Sequence, residues 1–145
     1  MIENMPDSAM IIESLMQLKF YHATFALCFI LPILFNLWNL FFHKNLVAMN
    51  KKIWFVMPII FFLLGVAFLS GLNLVFFYFS GVSVSFVLMC VFWLFALVGE
   101  IKRIKMLKVA KRTSLEAMQS YIAFAKLLYG IELVVFIVIV CVCYL

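Results

Sequence analysis

A few ionisable side chains lie inside long apolar stretches of this sequence, and these are the residues that could do chemistry. Glu132 stands about halfway along the last stretch, and His22 lies just over one helical turn into the first, three residues after Lys19. A carboxylate at such depth is costly to bury, so we expect Glu132 to face other protein groups. Imidazole can ligate haem iron or transfer protons. These side chains therefore indicate cofactor ligation, proton handling, or simply hydrogen bonds that hold helices together.

The stretches that must position these residues predict four membrane-spanning helices. At about 1.5 Å per residue, each is long enough to cross a hydrocarbon core of about 30 Å. The chain has 145 residues, of which 69% are hydrophobic and 12% charged, and a soluble domain of this size has too small an interior to bury that surface. The predicted fold is all-α, a single up-down four-helix membrane domain over residues 1–145. The predicted spans are 18–42, 53–79, 82–99 and 121–145.

Basic residues concentrate in two connections, 43–52 and 100–120, which lie on one side of an up-down bundle. The positive-inside rule predicts that this side is cytoplasmic, with both termini outside, as in a bacterial inner-membrane protein. The net charge of +5 therefore indicates topology and attraction to the lipid bilayer rather than nucleic-acid binding, because no nucleic-acid motif is present. The first 17 residues carry acidic but no basic side chains, which favours a retained first span over a cleaved signal.

Several residues are expected to shape the bundle rather than to react. Gly65 and Gly71 are predicted to permit close helix packing. Trp93 falls near the depth of Glu132, so its indole N–H is predicted to donate to that carboxyl group. The pair Thr113 and Glu116 has capping-box spacing, with Thr113 as the predicted cap of the last helix.

Two further features concern the ends and turns of the helices. The short Ser80-Gly81 link predicts that spans two and three are antiparallel neighbours. Helical spacing of apolar residues after 100 predicts that span three continues as a helix beyond the membrane. The four cysteines show no ligand spacing and are expected to be inert thiols.

The two histidines cannot share one iron. His22 and His43 are 21 residues apart, or about 31 Å along a helix. A haem would therefore need His22 alone, His22 with a ligand of another type, or His22 from a second copy. His43 is expected to be an interfacial residue.

The run Leu-Lys-Phe-Tyr-His at 18–22 resembles the start of span one in the HemJ-type protoporphyrinogen oxidases and the related CopD-like membrane proteins. The aromatic segment 35–43 and the start of span two, 50–54, are similar to the same family. The resemblance implies that His22 ligates haem b, that Lys19 is a nearby functional residue, and that the chemistry is oxidation of protoporphyrinogen to protoporphyrin. Chain length and the four-span layout agree with it, whereas the motifs cover roughly the first half.

Three family features are not evident in this chain. Leu37-Trp38 stands where a Pro-Arg pair is expected, no histidine occurs in 95–100, and the expected Asn-Glu-x-Pro motif is not evident around 129–132. Two hypotheses therefore stay open. The first is a haem- or porphyrin-associated protein, with an enzymatic role undecided. The second is a non-enzymatic bundle, which is either a subunit of a larger membrane complex or a small transporter-like protein. The expected partners are the lipid bilayer and either other copies of this chain or a larger membrane complex.

Overall fold

The structure is a computed structural model that describes residues 5–42, 45–77 and 83–144, all in helices or short connections. Four helical segments are long and apolar enough to cross a membrane, and the first of them joins two helices. The predicted all-α four-helix membrane bundle is confirmed. The helices are α1 (Met5–Cys28), α2 (Ile30–Phe42), α3 (Leu46–Phe77), α4 (Val84–Ala110) and α5 (Leu115–Tyr144).

The helices extend well past the apolar stretches. Both α3 and α5 begin within the predicted basic connections, and α4 continues to Ala110, as the helical spacing after 100 predicted. The predicted cap of α5 is wrong by one residue. Ser114 Oγ accepts from the backbone N–H of Ala117 at 3.2 Å, whereas the Thr113 hydroxyl donates back to the Val109 carbonyl. The Thr113 hydroxyl thus supplies a donor to a backbone carbonyl at the end of α4, whereas the Ser114 hydroxyl caps the start of α5.

The first span is broken at Phe29, between α1 and α2. Pro32 has no N–H to donate to the carbonyl four residues earlier, and its ring crowds that turn. The Phe29 N–H bonds instead to Ala26 O at 3.1 Å, a tighter turn. The Phe29 ring is buried against the rings of Phe92 and Phe136, with centroids 6.1 and 6.4 Å away. The break thus inserts one aromatic ring between α4 and α5.

The spans pack with α2 between α3 and α5, and with α4 against α5. Among the described residues α1 packs on α3 but approaches neither α4 nor α5, so the half of the bundle near the termini is less closed. Spans two and three touch over a short stretch, where Trp93 stacks on Phe68 at 4.7 Å between ring centroids. The Ser80-Gly81 link and His43 lie outside the described residues.

Gly99 sets the close approach of α4 and α5. A Cβ atom at this position would lie 2.5 Å from Cδ1 of the buried Leu128. Real Cβ atoms do not approach other atoms so closely, so any larger residue would force the Leu128 side chain or α5 to move. The close contact brings the buried polar residues of the two helices together.

Candidate functional site

The most enclosed polar group of the bundle is an ion pair on α4. Arg103 donates from Nε to Glu100 Oε2 at 3.0 Å and from Nη2 to the same oxygen at 2.8 Å. Both side chains are essentially fully buried. The spacing of three residues places them on one face of α4, so each neutralises the charge of the other. A buried pair of this kind is tolerated only when its remaining donors also find partners.

Those partners come from α5. Arg103 Nη1 donates to the Tyr121 hydroxyl at 3.2 Å, and the Arg103 guanidinium lies 5.8 Å from the centroid of the Tyr129 ring. Tyr121 and Tyr129 are separated by two helical turns on one buried face, with the small residue Ala125 between them. Because Ala125 is small, α5 presents two aromatic side chains to the guanidinium without crowding it.

The same cluster reaches α2 through Asn36. Its Nδ2 donates to the Tyr129 hydroxyl at 2.9 Å, so three of the four spans contribute a polar side chain. Glu132 follows Tyr129 by one turn and is buried, 1% exposed, as its predicted interior position requires. We call Asn36, Glu100, Arg103, Tyr129 and Glu132, together with Tyr121, the interior polar cluster.

Two acceptor oxygens of this cluster have no hydrogen-bond partner among the residues that the structure describes. They are Asn36 Oδ1 and Glu132 Oε1, both buried. The donor predicted for Glu132 goes elsewhere, because the Trp93 indole N–H donates to the Leu64 carbonyl of α3 at 2.9 Å. That prediction rested on depth along the helices, and depth alone does not determine which neighbouring helix a side chain faces.

Glu100 and Arg103 belong to the predicted basic connection 100–120, and their side chains lie in the interior of the bundle. They are buried within α4 because each carries the countercharge of the other. The signal that would have found them was an acidic and a basic residue three apart on a stretch with helical periodicity.

His22 forms a second polar site, between α1 and α3. Its Nδ1 lies 2.8 Å from Ser70 Oγ, and Ser70 Oγ lies 2.7 Å from the Val66 carbonyl oxygen. We assign the single hydroxyl proton of Ser70 to the bond with Val66, and on this assignment the His22 Nδ1–H donates to Ser70 Oγ. The proton on Nδ1 leaves Nε2 of the neutral ring as a free acceptor.

Two other predicted site residues, Gly71 and Lys19, lie near His22. Gly71 lies directly against the imidazole, since a Cβ at this position would be 3.4 Å from Cε1 of His22. Lys19 lies on the exposed surface of α1, about one turn before His22. At Gly65 a Cβ would meet no described atom within 4 Å, so no described residue requires a glycine there. The described residues contain no group of three His, Cys, Asp or Glu side chains that could hold a metal ion.

Comparisons with protein-family models, with curated proteins and with solved structures give no match for this chain. The resemblance to HemJ-type proteins therefore stays a prediction, and the functional argument rests on the geometry of the two polar sites.

Proposed function

We propose that this chain is a haem- or porphyrin-associated membrane protein in which His22 is the axial ligand of the iron. The observation that carries the proposal is the hydrogen bond from His22 Nδ1 to Ser70 on another helix. Histidines that ligate metals usually donate their second ring N–H to a neighbouring acceptor, which fixes the tautomer and the direction of the free nitrogen. The resemblance at residues 18–22 leads to the same histidine.

The residues present fit one side of such a cofactor. The imidazole is half-buried, and among the described residues α1 contacts α3 and the adjoining α2 but neither α4 nor α5, so the surface beside it can receive a hydrophobic molecule or a second copy. Lys19 lies about one turn away and is the nearby functional residue that the resemblance implies. A bound haem would supply one-electron redox chemistry, and the chain would hold and orient it through His22. The proposal is a five-coordinate or shared site, because the sequence has only one other histidine, His43, which follows His22 by 21 residues on the same predicted span.

The absorption spectrum of purified protein from cells grown with ample haem precursor tests this proposal. We expect a Soret band in wild type, its loss in His22→Ala and its retention in His43→Ala, the matched control on the same span. A wild-type protein without pigment, or equal haem content in both variants, contradicts the proposal.

A second candidate function is the transport of protons or small cations, and the interior polar cluster favours it. Glu132 Oε1 and Asn36 Oδ1 are buried acceptors without a donor, and both side chains adjoin Tyr129. Ionisable residues in membrane spans often line ion or proton pathways. A proton or a small cation would satisfy these two oxygens.

Proton flux into liposomes that contain the protein and a pH-sensitive dye tests this second function. We expect flux under an imposed membrane potential in wild type and its loss in Glu132→Gln. Glu116→Gln serves as control, because Glu116 is exposed in the first turn of α5. Flux that is absent in wild type, or unchanged in Glu132→Gln, would refute it.

A further inference from the structure

We infer that the end of the bundle near the basic connections contains a binding site for the headgroup of an anionic phospholipid. A cavity of about 700 Å³ lies where α3 begins and where α4 gives way to α5. It is separate from both polar sites described above. This inference is independent of the proposed function, since neither His22 nor the interior polar cluster lines the cavity.

Two lysines and a tryptophan line the cavity and indicate a negatively charged ligand at a membrane surface. Lys51 approaches from α3 and Lys111 from the position directly after α4, and Lys111 Nζ lies 5.7 Å from the centroid of the Trp54 ring. None of the described residues that line the cavity is acidic. Tryptophan and lysine together are typical of the headgroup level of a bilayer, where basic side chains attract anionic lipids.

Asn50 requires the ligand to supply a hydrogen-bond donor, which a bare phosphate lacks. Asn50 lines the cavity and is 5% exposed, its Nδ2 lies 3.6 Å from Met118 Sδ, and its buried Oδ1 accepts no hydrogen bond from any described residue. A buried carbonyl oxygen is stabilised by a donor. The ligand that suits this site therefore carries a phosphate and, close to it, an O–H donor. Phosphatidylglycerol has this chemistry.

The cavity edge supports a lipid rather than a soluble phosphate ester. Val47 and Leu115 line the cavity and are 79% and 67% exposed, which provides apolar surface next to the charged groups. Apolar side chains beside a headgroup site would contact the glycerol and the first carbons of the acyl chains. A soluble ligand would leave this surface in contact with water.

Native mass spectrometry with lipids of matched acyl chains tests the inference. We expect phosphatidylglycerol to be retained over phosphatidylcholine, which lacks net negative charge, and over phosphatidylmethanol, which lacks the hydroxyl donors. Lys51→Met and Lys111→Met should each weaken phosphatidylglycerol binding by about fivefold. Lys108→Met is the matched control, because Lys108 is exposed on α4 and does not line the cavity.

Asn50→Leu separates the two requirements, since it should abolish the preference for phosphatidylglycerol over phosphatidylmethanol while both anionic lipids still bind. If Asn50→Leu does not fold, the wild-type comparison of the two lipids still decides the role of the donor. Equal binding of all three lipids, or an equal effect of the Lys108, Lys51 and Lys111 substitutions, would overturn the inference. Displacement of the lipid by soluble glycerol phosphate would show a soluble ligand and would overturn it as well.

Discussion

At the scale of single residues, the interior of this protein is organised by polar groups that compensate one another. The Arg103 guanidinium makes hydrogen bonds to Glu100 and Tyr121, so neither member of the ion pair is left with a bare charge. Burying both charges yields little net stability, but removing one partner leaves the other uncompensated. We therefore expect the folded protein to lose much more stability when one of the two charges is removed than when both are removed.

Glu100→Leu alone should destabilise the folded protein by about 3–5 kcal/mol, because it leaves the Arg103 charge buried and unpaired. Glu100→Leu combined with Arg103→Met should be much less harmful, since both charges are then gone. Unfolding in detergent, followed by the fraction of protein that stays monodisperse on heating, measures both variants. A double variant as unstable as the sum of the single ones would contradict this account.

Ser70 is the residue that orients His22 in the proposed haem site. Ser70→Ala removes the acceptor of the Nδ1–H bond but leaves the imidazole in place. We expect haem affinity to fall by about 10–100-fold, as for other groups that orient metal ligands. Titration of the haem-free protein with haem, followed by absorbance, measures the change. The control is Ser14→Ala, which removes an exposed hydroxyl on the same span as His22. An unchanged affinity in Ser70→Ala would show that the hydrogen bond only joins two helices.

At the scale of elements, apolar length and proline position determined more of the fold than any single contact. The four spans and the helical continuation after residue 100 followed from hydropathy and periodicity. The contact partners did not, because they depend on the rotation of each helix about its own axis. Trp93 donates to Leu64 rather than Glu132 for this reason. Charge counting likewise missed the buried Glu100 and Arg103, since it treats each charge separately.

For the candidate site, as for the fold, the sequence indicated the important residue but not its contact partners. His22 was identified because an imidazole in an apolar stretch is unusual. Which residue would be its hydrogen-bond partner required the packing of α1 on α3, and the sequence contains no periodicity that fixes it. Asn36 was missed because a single asparagine in an apolar helix indicates nothing until its neighbour Tyr129 is known.

The approach of α4 to α5 gives a test at this scale. Gly99→Ala should lower stability, by about 1–3 kcal/mol, because the new methyl group overlaps the buried Leu128 side chain. Gly130→Ala is the matched control on the partner helix, where a Cβ meets nothing within 4 Å, and it should be neutral or stabilising. Thermal aggregation of the purified variants in detergent compares them. Adding Leu128→Ala to Gly99→Ala should remove the overlap, and equal effects of the two glycine substitutions would contradict the explanation.

At the scale of the whole molecule, four membrane spans predict that both termini lie on the same side of the membrane. The concentration of lysine and arginine in the two connections predicts that this side faces away from the cytoplasm. The buried Arg103 does not reverse the prediction, because the remaining basic residues of that region stay exposed. A reporter that is active only in the cytoplasm should give no signal at either terminus. Signal from both termini would show the opposite orientation.

The central claim is that His22 holds haem through Nε2, and chemical rescue tests it most directly. His22→Gly removes the imidazole and should abolish the Soret band, and free imidazole added to the purified variant with haem should restore it by occupying the vacated space. Resonance Raman spectra of the reduced protein should show an iron–histidine stretch in wild type. In His22→Gly this stretch should return only with imidazole. An iron–histidine stretch that persists in His22→Gly without imidazole, or its absence from haem-loaded wild type, would contradict the assignment.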